Sequence, residues 1–214
     1  MYRLFHYWRS SSSWRVRFAL DFKGIPYEPV AVSLLNGESE SPEHLSRNPL
    51  GTVPVLEIPG TPASLLSESL AILHFLEEAH PDLPRLLPGT PLERARIRML
   101  AELINSGIQP FHNPPVLAQH SADPVEQKSW AAGFIEKGLH AYESHCKKTH
   151  GLYSVGDAPS IADACLIPQL YSAERFEVDW RAFPVISRVE TNLRALPAYQ
   201  SSHAERFKPL DFKG

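Results

Sequence analysis

The sequence predicts a mixed α/β domain at the N-terminus, joined to a C-terminal domain made of helices alone. Three observations carry this. Short strand-like runs alternate with helical ones over about the first 80 residues. A proline-rich stretch, PDLPRLLPGTP at residues 81–91, then breaks regular structure. Beyond it, every long apolar pattern has helical spacing. The expected boundaries are residues 1–80 for the first domain, 81–87 for the linker and 88–214 for the helical domain.

Each element follows from its own residues. YRLFHY, residues 2–7, alternates as a strand should. From Ser11 to about Lys23, Trp14, Val16, Phe18, Ala19 and Phe22 recur at near-helical spacing, and Gly24 supplies the stop. YEPVAVSL, residues 27–34, is a second strand; two strands joined by a crossover helix are most economically parallel. An acidic stretch to about Arg47 holds one short helix. VLEI and ASLL are strand-like, and SESLAILHFLEEAH is a strongly periodic helix. The order is therefore β-α-β-α-β-β-α. In the second half, LERARIRMLAELINSGIQPF is helical, and Asp123 with Pro124 opens a long helix in the manner of an N-cap and first-turn proline. Ser160 and Asp163 open another as a variant capping box, a structural role only. Two shorter helices follow Pro184 and Pro197.

Composition excludes several functions. With 43% apolar and 21% charged residues and a net charge of −3, no global field recruits nucleic acid or an anionic membrane. No apolar run approaches the roughly 18 residues of a membrane span. No charged-then-apolar leader opens the sequence, so the expected location is cytoplasmic. The two cysteines, Cys146 and Cys165, are too few for a disulfide framework and read as buried thiols. The ten histidines form no HExxH or comparable cluster, so no metal is expected.

The informative stretch is HYWRSSSSWRVRFAL, residues 6–20. It puts four hydroxyls in the one turn between the first strand and the first helix. A helix start leaves up to four unpaired N–H groups and carries the positive end of the dipole, so it attracts negative charge. No GxxxxGK[ST] or GxGxxG pattern accompanies it to cradle phosphate. A thiolate fits better, since helix N-termini depress thiol pKa values. The turn has no cysteine, so the thiol has to come from a ligand. Thioredoxin-like domains carry their CxxC pair at this turn, and here the matching frame reads Ser10-x-x-Ser13.

This order, with SSSSWRVRFAL, NPLGTVPVLE, SESLAI, GIQPFHN and AERFEVD, resembles the zeta class of glutathione transferases, which includes maleylacetoacetate isomerase. The resemblance runs from Tyr2 to about His203. It implies a thioredoxin-like glutathione-binding domain, an all-α domain, glutathione as cofactor and a homodimer. It also makes Ser10 the hydroxyl that donates to the glutathione sulfur, with Ser11 as neighbour or substitute. Tyr7 is the rival sulfur ligand, while Ser12 and Ser13 read as helix caps. Where the family commonly has Ser-Ser-Cys-Ser, the third position is Ser12, which bears on accessory redox or conjugating chemistry more than on isomerisation.

The resemblance further implies a cis bond before Pro54, with the Val53 backbone pairing with the cysteinyl part of glutathione like an added strand. Ser69 suits the γ-glutamyl carboxylate and Glu68 its ammonium, although ordinary N-capping explains the same residues. Gln109 and Asn113 match ligand-contacting positions of the family. Arg9 and Arg175 suit the carboxylates of a maleyl-type dicarboxylic substrate, because guanidinium grips carboxylate in a bidentate, always-charged way. The implied reaction is the glutathione-dependent cis–trans isomerisation of maleylacetoacetate to fumarylacetoacetate. Maleylpyruvate isomerisation, general conjugation of electrophiles such as α-halo acids, and a non-catalytic binding module are the alternatives.

Overall fold

The computed structural model describes residues 1–60, 62–210 and 212. The chain divides into two compact units. The first comprises Met1–Arg85 together with the chain from Pro197 onward, and the second is Leu86–Leu196.

The first unit is built on a four-stranded sheet in the order β2-β1-β3-β4. Strand β1 (Tyr2–His6) pairs parallel with β2 (Tyr27–Ala31), the two joined by a crossover through helix α1 (Ser11–Lys23). It pairs antiparallel with β3 (Val55–Ile58), which continues antiparallel to β4 (Ser64–Ser67). β2 ends three residues earlier than its sequence run suggests. The acidic stretch resolves into a 3-10 turn at Glu38–Glu40 and helix α2 (Pro42–Arg47). Helix α3 (Ser69–Ala79) packs on α1. Leu4, Phe5, Val55 and Leu56 of the sheet, alternating between its two faces, and Val16, Phe18, Leu20, Ile72, Leu73 and Leu76 of the helices are all enclosed.

Gly24 ends α1 with φ 68°, a left-handed conformation that glycine adopts without a Cβ penalty. At the far ends of α1 and α3, the buried pair Lys23 Nζ–Glu77 closes at 2.7 Å. Arg85 Nε reaches the same carboxylate at 2.9 Å, and Lys23 also donates to the Pro84 carbonyl at 3.0 Å. Glu77 thus gathers the ends of both helices and the exit from the unit onto one buried charge.

The second unit contains α4 (Pro91–Asn105), α5 (Pro114–His120), α6 (Pro124–Thr149), α7 (Ile161–Arg175) and α8 (Pro184–Arg194). A full capping box of Thr90 and Glu93 opens α4, and the Asp123 carboxylate accepts from Val125 N at the start of α6. Helix α7 is the centre of this unit, packed by α4, α6 and α8. Its Asp163 is fully buried and accepts from the backbone of Ser154 and Ser160 and from the Ser160 hydroxyl. Burial pushes the Asp163 carboxyl up, with these hydrogen bonds working against that shift.

Helix α9 (Pro197–Ser202) was expected with the helical domain but packs on α1. The reason is a set of specific bonds. Trp14 Nε1 donates to Ser202 Oγ at 3.2 Å, Arg17 Nε to the Ser202 carbonyl at 3.1 Å, and Ser201 Oγ to the Asp21 carboxylate at 2.6 Å.

Removing Glu77 leaves the buried Lys23 ammonium uncompensated. Glu77→Ala is therefore expected to destabilise the first unit by about 3–5 kcal/mol, read as a shift of the denaturant midpoint.

Candidate active site

The site is built at one end of the sheet. Phe5 pairs with Val55, and Val55 with Ser67. Both ladders stop at Val55, so β3 begins where β1 finishes toward the serine turn and where β4 finishes toward α3. Three segments distant in sequence, the serine turn, the Val53–Pro54 loop and the start of α3, therefore lie at the same end of the sheet, along the edge where β1 finishes.

In the serine turn, Ser10 N donates to the Tyr7 carbonyl at 3.1 Å. Ser10 has extended backbone angles and its Oγ accepts from Ser13 N at 3.2 Å, which makes it the N-cap of α1. An oxygen that accepts this bond still carries its own proton, and the half-buried Ser10 hydroxyl donates to no described residue. Ser13 is fully buried, and its Oγ accepts from Tyr7 N at 3.4 Å, closing the turn back onto the strand. Ser11 and Ser12 are half-buried in the first turn. That turn holds no acidic residue to neutralise the dipole. Capping thus falls to Ser10, and Ser13 serves the strand end. The Tyr7 hydroxyl is enclosed by protein, so Ser10 is the more accessible donor.

The Val53–Pro54 peptide is cis. Val53 makes no backbone hydrogen bond with any described residue, so its N–H and C=O are available to an extended ligand segment. The preceding loop is clamped from α2 and the residue after it. His44 Nε2 meets the Thr52 carbonyl at 3.0 Å, and Asn48 Nδ2 donates to that carbonyl and to Thr52 Oγ1, both at 2.9 Å.

At the start of α3, Glu68 has φ 66°, an uncommon conformation for a residue with a side chain, costing on the order of 1–3 kcal/mol. Its carboxylate is exposed and pairs with no described residue. Ser69 is buried, and its Oγ accepts from Arg15 Nη1 at 3.2 Å. Arg15, fully buried in α1, therefore brings positive charge to the α3 start and links the two helix N-termini. Sequence reading missed it, because an arginine between Trp14 and Val16 looks like a solvated helix face. Arg17 was missed for the same reason. It donates to the carbonyls of Tyr7 (3.4 Å), Trp8 (3.0 Å) and Ser202, and to His6 Nδ1 at 3.1 Å.

Arg9 is half-buried beside Ser10 and forms no ion pair or hydrogen bond with a described residue. Its guanidinium lies over the rings of Trp8 and Phe212, at 5.3 and 5.7 Å. In the second unit, Gln109 opens a 3-10 turn and Asn113 is the exposed N-cap residue of α5, capping through its carbonyl and not its side chain. His112 of the same turn meets Gln169 of α7 at 3.3 Å. Arg175 is exposed in the last turn of α7, with its guanidinium 5.7 Å from the Phe176 ring. Burial and the Asp163 charge push the Cys146 thiol up, so it is an inert core residue.

The edge offers an unoccupied hydroxyl proton, a free strand backbone and a serine at a helix start backed by buried arginine. These suit, respectively, a thiolate, a cysteinyl main chain and a carboxylate. A tripeptide thiol fits all three at once, and a chain that joins a thioredoxin-like sheet carrying them to an all-helical unit has glutathione transferase architecture.

Comparison with known proteins agrees. The glutathione S-transferase N-terminal domain profile matches residues 4–85. Mouse maleylacetoacetate isomerase is 45% identical over 205 residues, covering 95% of this chain and 92% of its own. A crystal structure of maleylacetoacetate isomerase from Anaeromyxobacter dehalogenans with bound glutathione is similar at TM-score 0.89 and 45% identity, over 98% of this chain and 97% of that one. Another structure of that isomerase holds dicarboxyethyl glutathione and citrate. A zeta-class maleylpyruvate isomerase matches at TM-score 0.90 and 35% identity, over 98% and 100% of the two chains. The chain belongs to the glutathione S-transferase family, in the zeta class with the maleylacetoacetate isomerases.

Beneath the serine turn, burial first and the Arg17 charge second lower the His6 pKa to about 3, so the fold keeps this imidazole neutral. The unfolded chain regains a pKa near 6.5 and takes up a proton that the fold refuses. Stability should therefore fall as pH drops from about 6.5 toward 3, and His6→Asn should flatten that slope in denaturation midpoints measured across the window.

Proposed function

We propose that the protein is a glutathione-dependent cis–trans isomerase that converts maleylacetoacetate to fumarylacetoacetate. The observation that carries the reading is the Ser10 cap: its oxygen is engaged by Ser13 N, and its proton is left for an anion at the helix start. Bound glutathione supplies a thiol that, ionised, adds to the cis double bond, leaves a single bond free to rotate, and departs with the trans bond restored.

This chain's residues have three tasks. Ser10, with Ser11 beside it and the α1 N-terminus behind, favours the ionised sulfur over the protonated one by hydrogen bond and dipole. Val53 next to Pro54, Glu68 and Ser69 bind the tripeptide, with Gln109 and Asn113 as further ligand contacts. Arg9 and Arg175 hold the substrate's carboxylates, which orients the reacting carbon toward sulfur and neutralises charge that shifts onto the conjugated carbonyl.

A homodimer in the cytoplasm is part of the same proposal. The exposed side chains of Leu50 and Leu65 in the first unit, and separately of Leu92 and Met99 in the second, are apolar groups that a second copy would cover. No described helix is long and apolar enough to cross a membrane. Light scattering tests the dimer.

A coupled assay of maleylacetoacetate turnover tests the chemistry. Ser10→Ala is expected to lower turnover at pH 7 by about 10- to 100-fold and to move the pH–rate midpoint up toward the free thiol value of about 8.5. An unchanged rate and profile would refute Ser10 as the sulfur donor. Arg175→Ala is expected to raise KM for the diacid with glutathione affinity intact; an unchanged KM would remove Arg175 from the site. Maleylpyruvate assayed in parallel separates the two zeta-class activities, and the higher identity to the maleylacetoacetate enzymes favours the first.

A further inference from the structure

The C-terminal segment does more than complete the first unit. Beyond α9 and a 3-10 turn at Ala204–Phe207, it returns to the serine turn and meets it with aromatic rings. Phe207 packs edge-on to His6, with centroids 5.2 Å apart, and its ring lies 4.6 Å from the Arg17 guanidinium. Phe212 packs edge-on to Trp8, with centroids 5.1 Å apart. The Trp8–Phe212 pair carries two cations: Arg9 from the turn, and Lys208 Nζ at 5.6 and 5.4 Å from the two rings.

Among the described residues, Arg9's guanidinium meets these two rings and no carboxylate or carbonyl. A ring face attracts a guanidinium without neutralising its charge and without occupying its five N–H donors. That is the way to hold an arginine whose donors serve a ligand. Phe212 is half-buried and lines an open cavity of about 540 Å³ with Tyr7, Trp8, Val32, Ser33 and Asn36, so it is not a core residue whose loss would collapse the fold.

We propose that Phe212, acting with Trp8, is a positioning residue for Arg9, and that the C-terminal segment thereby sets affinity for the acidic second substrate while leaving glutathione binding alone. This rests on the reading of Arg9 as a carboxylate ligand. The test measures KM and kcat for the diacid, and glutathione affinity by calorimetry, in Phe212→Ala, Phe212→Trp, Arg9→Ala and the double variant Arg9→Ala/Phe212→Ala. Phe212→Ala is expected to raise KM for the diacid about tenfold, a loss of about 1.4 kcal/mol, with kcat and glutathione affinity within about twofold. Phe212→Trp should restore KM, and a chain shortened to residues 1–210 should behave as Phe212→Ala. Added to Arg9→Ala, the Phe212 change should cost less than a further twofold, because both act through one guanidinium. An unchanged KM in Phe212→Ala, a fully additive effect in the double variant, or a matching loss of glutathione affinity would each overturn the inference while a raised KM in Arg9→Ala upheld the reading. An unchanged KM in Arg9→Ala would overturn both.

Discussion

The register of three strands is the constraint on which the site depends. Phe5 opposite Val55 and Val55 opposite Ser67 bring residues 45 and 57 positions downstream of Ser10 to the end of the sheet that carries the serine turn. A slip of one residue would exchange the faces of every β3 side chain, undoing the packing of Val55 on one side of the sheet and of Leu56 on the other. The apolar cost of that slip locks the register, and the locked register lines up the Ser10 cap, the free backbone of Val53 and the Ser69 helix start. Packing energy in the core thus becomes positional accuracy at the edge.

Within that frame the four serines divide their labour. The two outer hydroxyls are structural acceptors, Ser10 for Ser13 N and Ser13 for Tyr7 N. Each satisfies a backbone donor that a tight turn would otherwise leave unpaired. Of these two, Ser10 is the one that is partly exposed, so the atom that stabilises the helix start also has a proton to offer. Function here reuses a cap that the fold already needs.

Much of this was legible in sequence because it is local. The strand and helix order, the Gly24 stop, the Asp123 cap and the Ser160–Asp163 box each follow from residues within a turn of one another. What sequence could not reveal is non-local. Arg15 and Arg17 alternate with Trp14, Val16 and Phe18, so each reads as a solvated position. Arg15 is covered by Ser69 at the start of α3, and Arg17 with Trp14 by Ser202, 188 residues beyond Trp14. The same return explains why the chain from Pro197 joins the first unit. The unusual Glu68 backbone was equally hidden, since nothing in S-E-S demands a positive φ at its centre. The short helix α5 escaped notice as well, its seven residues being too few to display a period.

The choice of arginine at position 17 follows from geometry. Its guanidinium serves four acceptors in three directions: the Ser202 carbonyl through Nε, the Tyr7 carbonyl and His6 through Nη1, and the Trp8 carbonyl through Nη2. A lysine has one nitrogen and three donors, and could not span that set. Burial lowers the Arg17 pKa to about 10, which still leaves it charged at neutral pH. A cation there forbids a second one, so His6 must present a lone pair at Nδ1 and stay neutral. Two of the carbonyls that compensate Arg17, those of Tyr7 and Trp8, stand immediately before the Arg9–Ser10 segment. Solvating one buried charge therefore fixes the backbone from which both the acid-binding arginine and the sulfur-facing serine project.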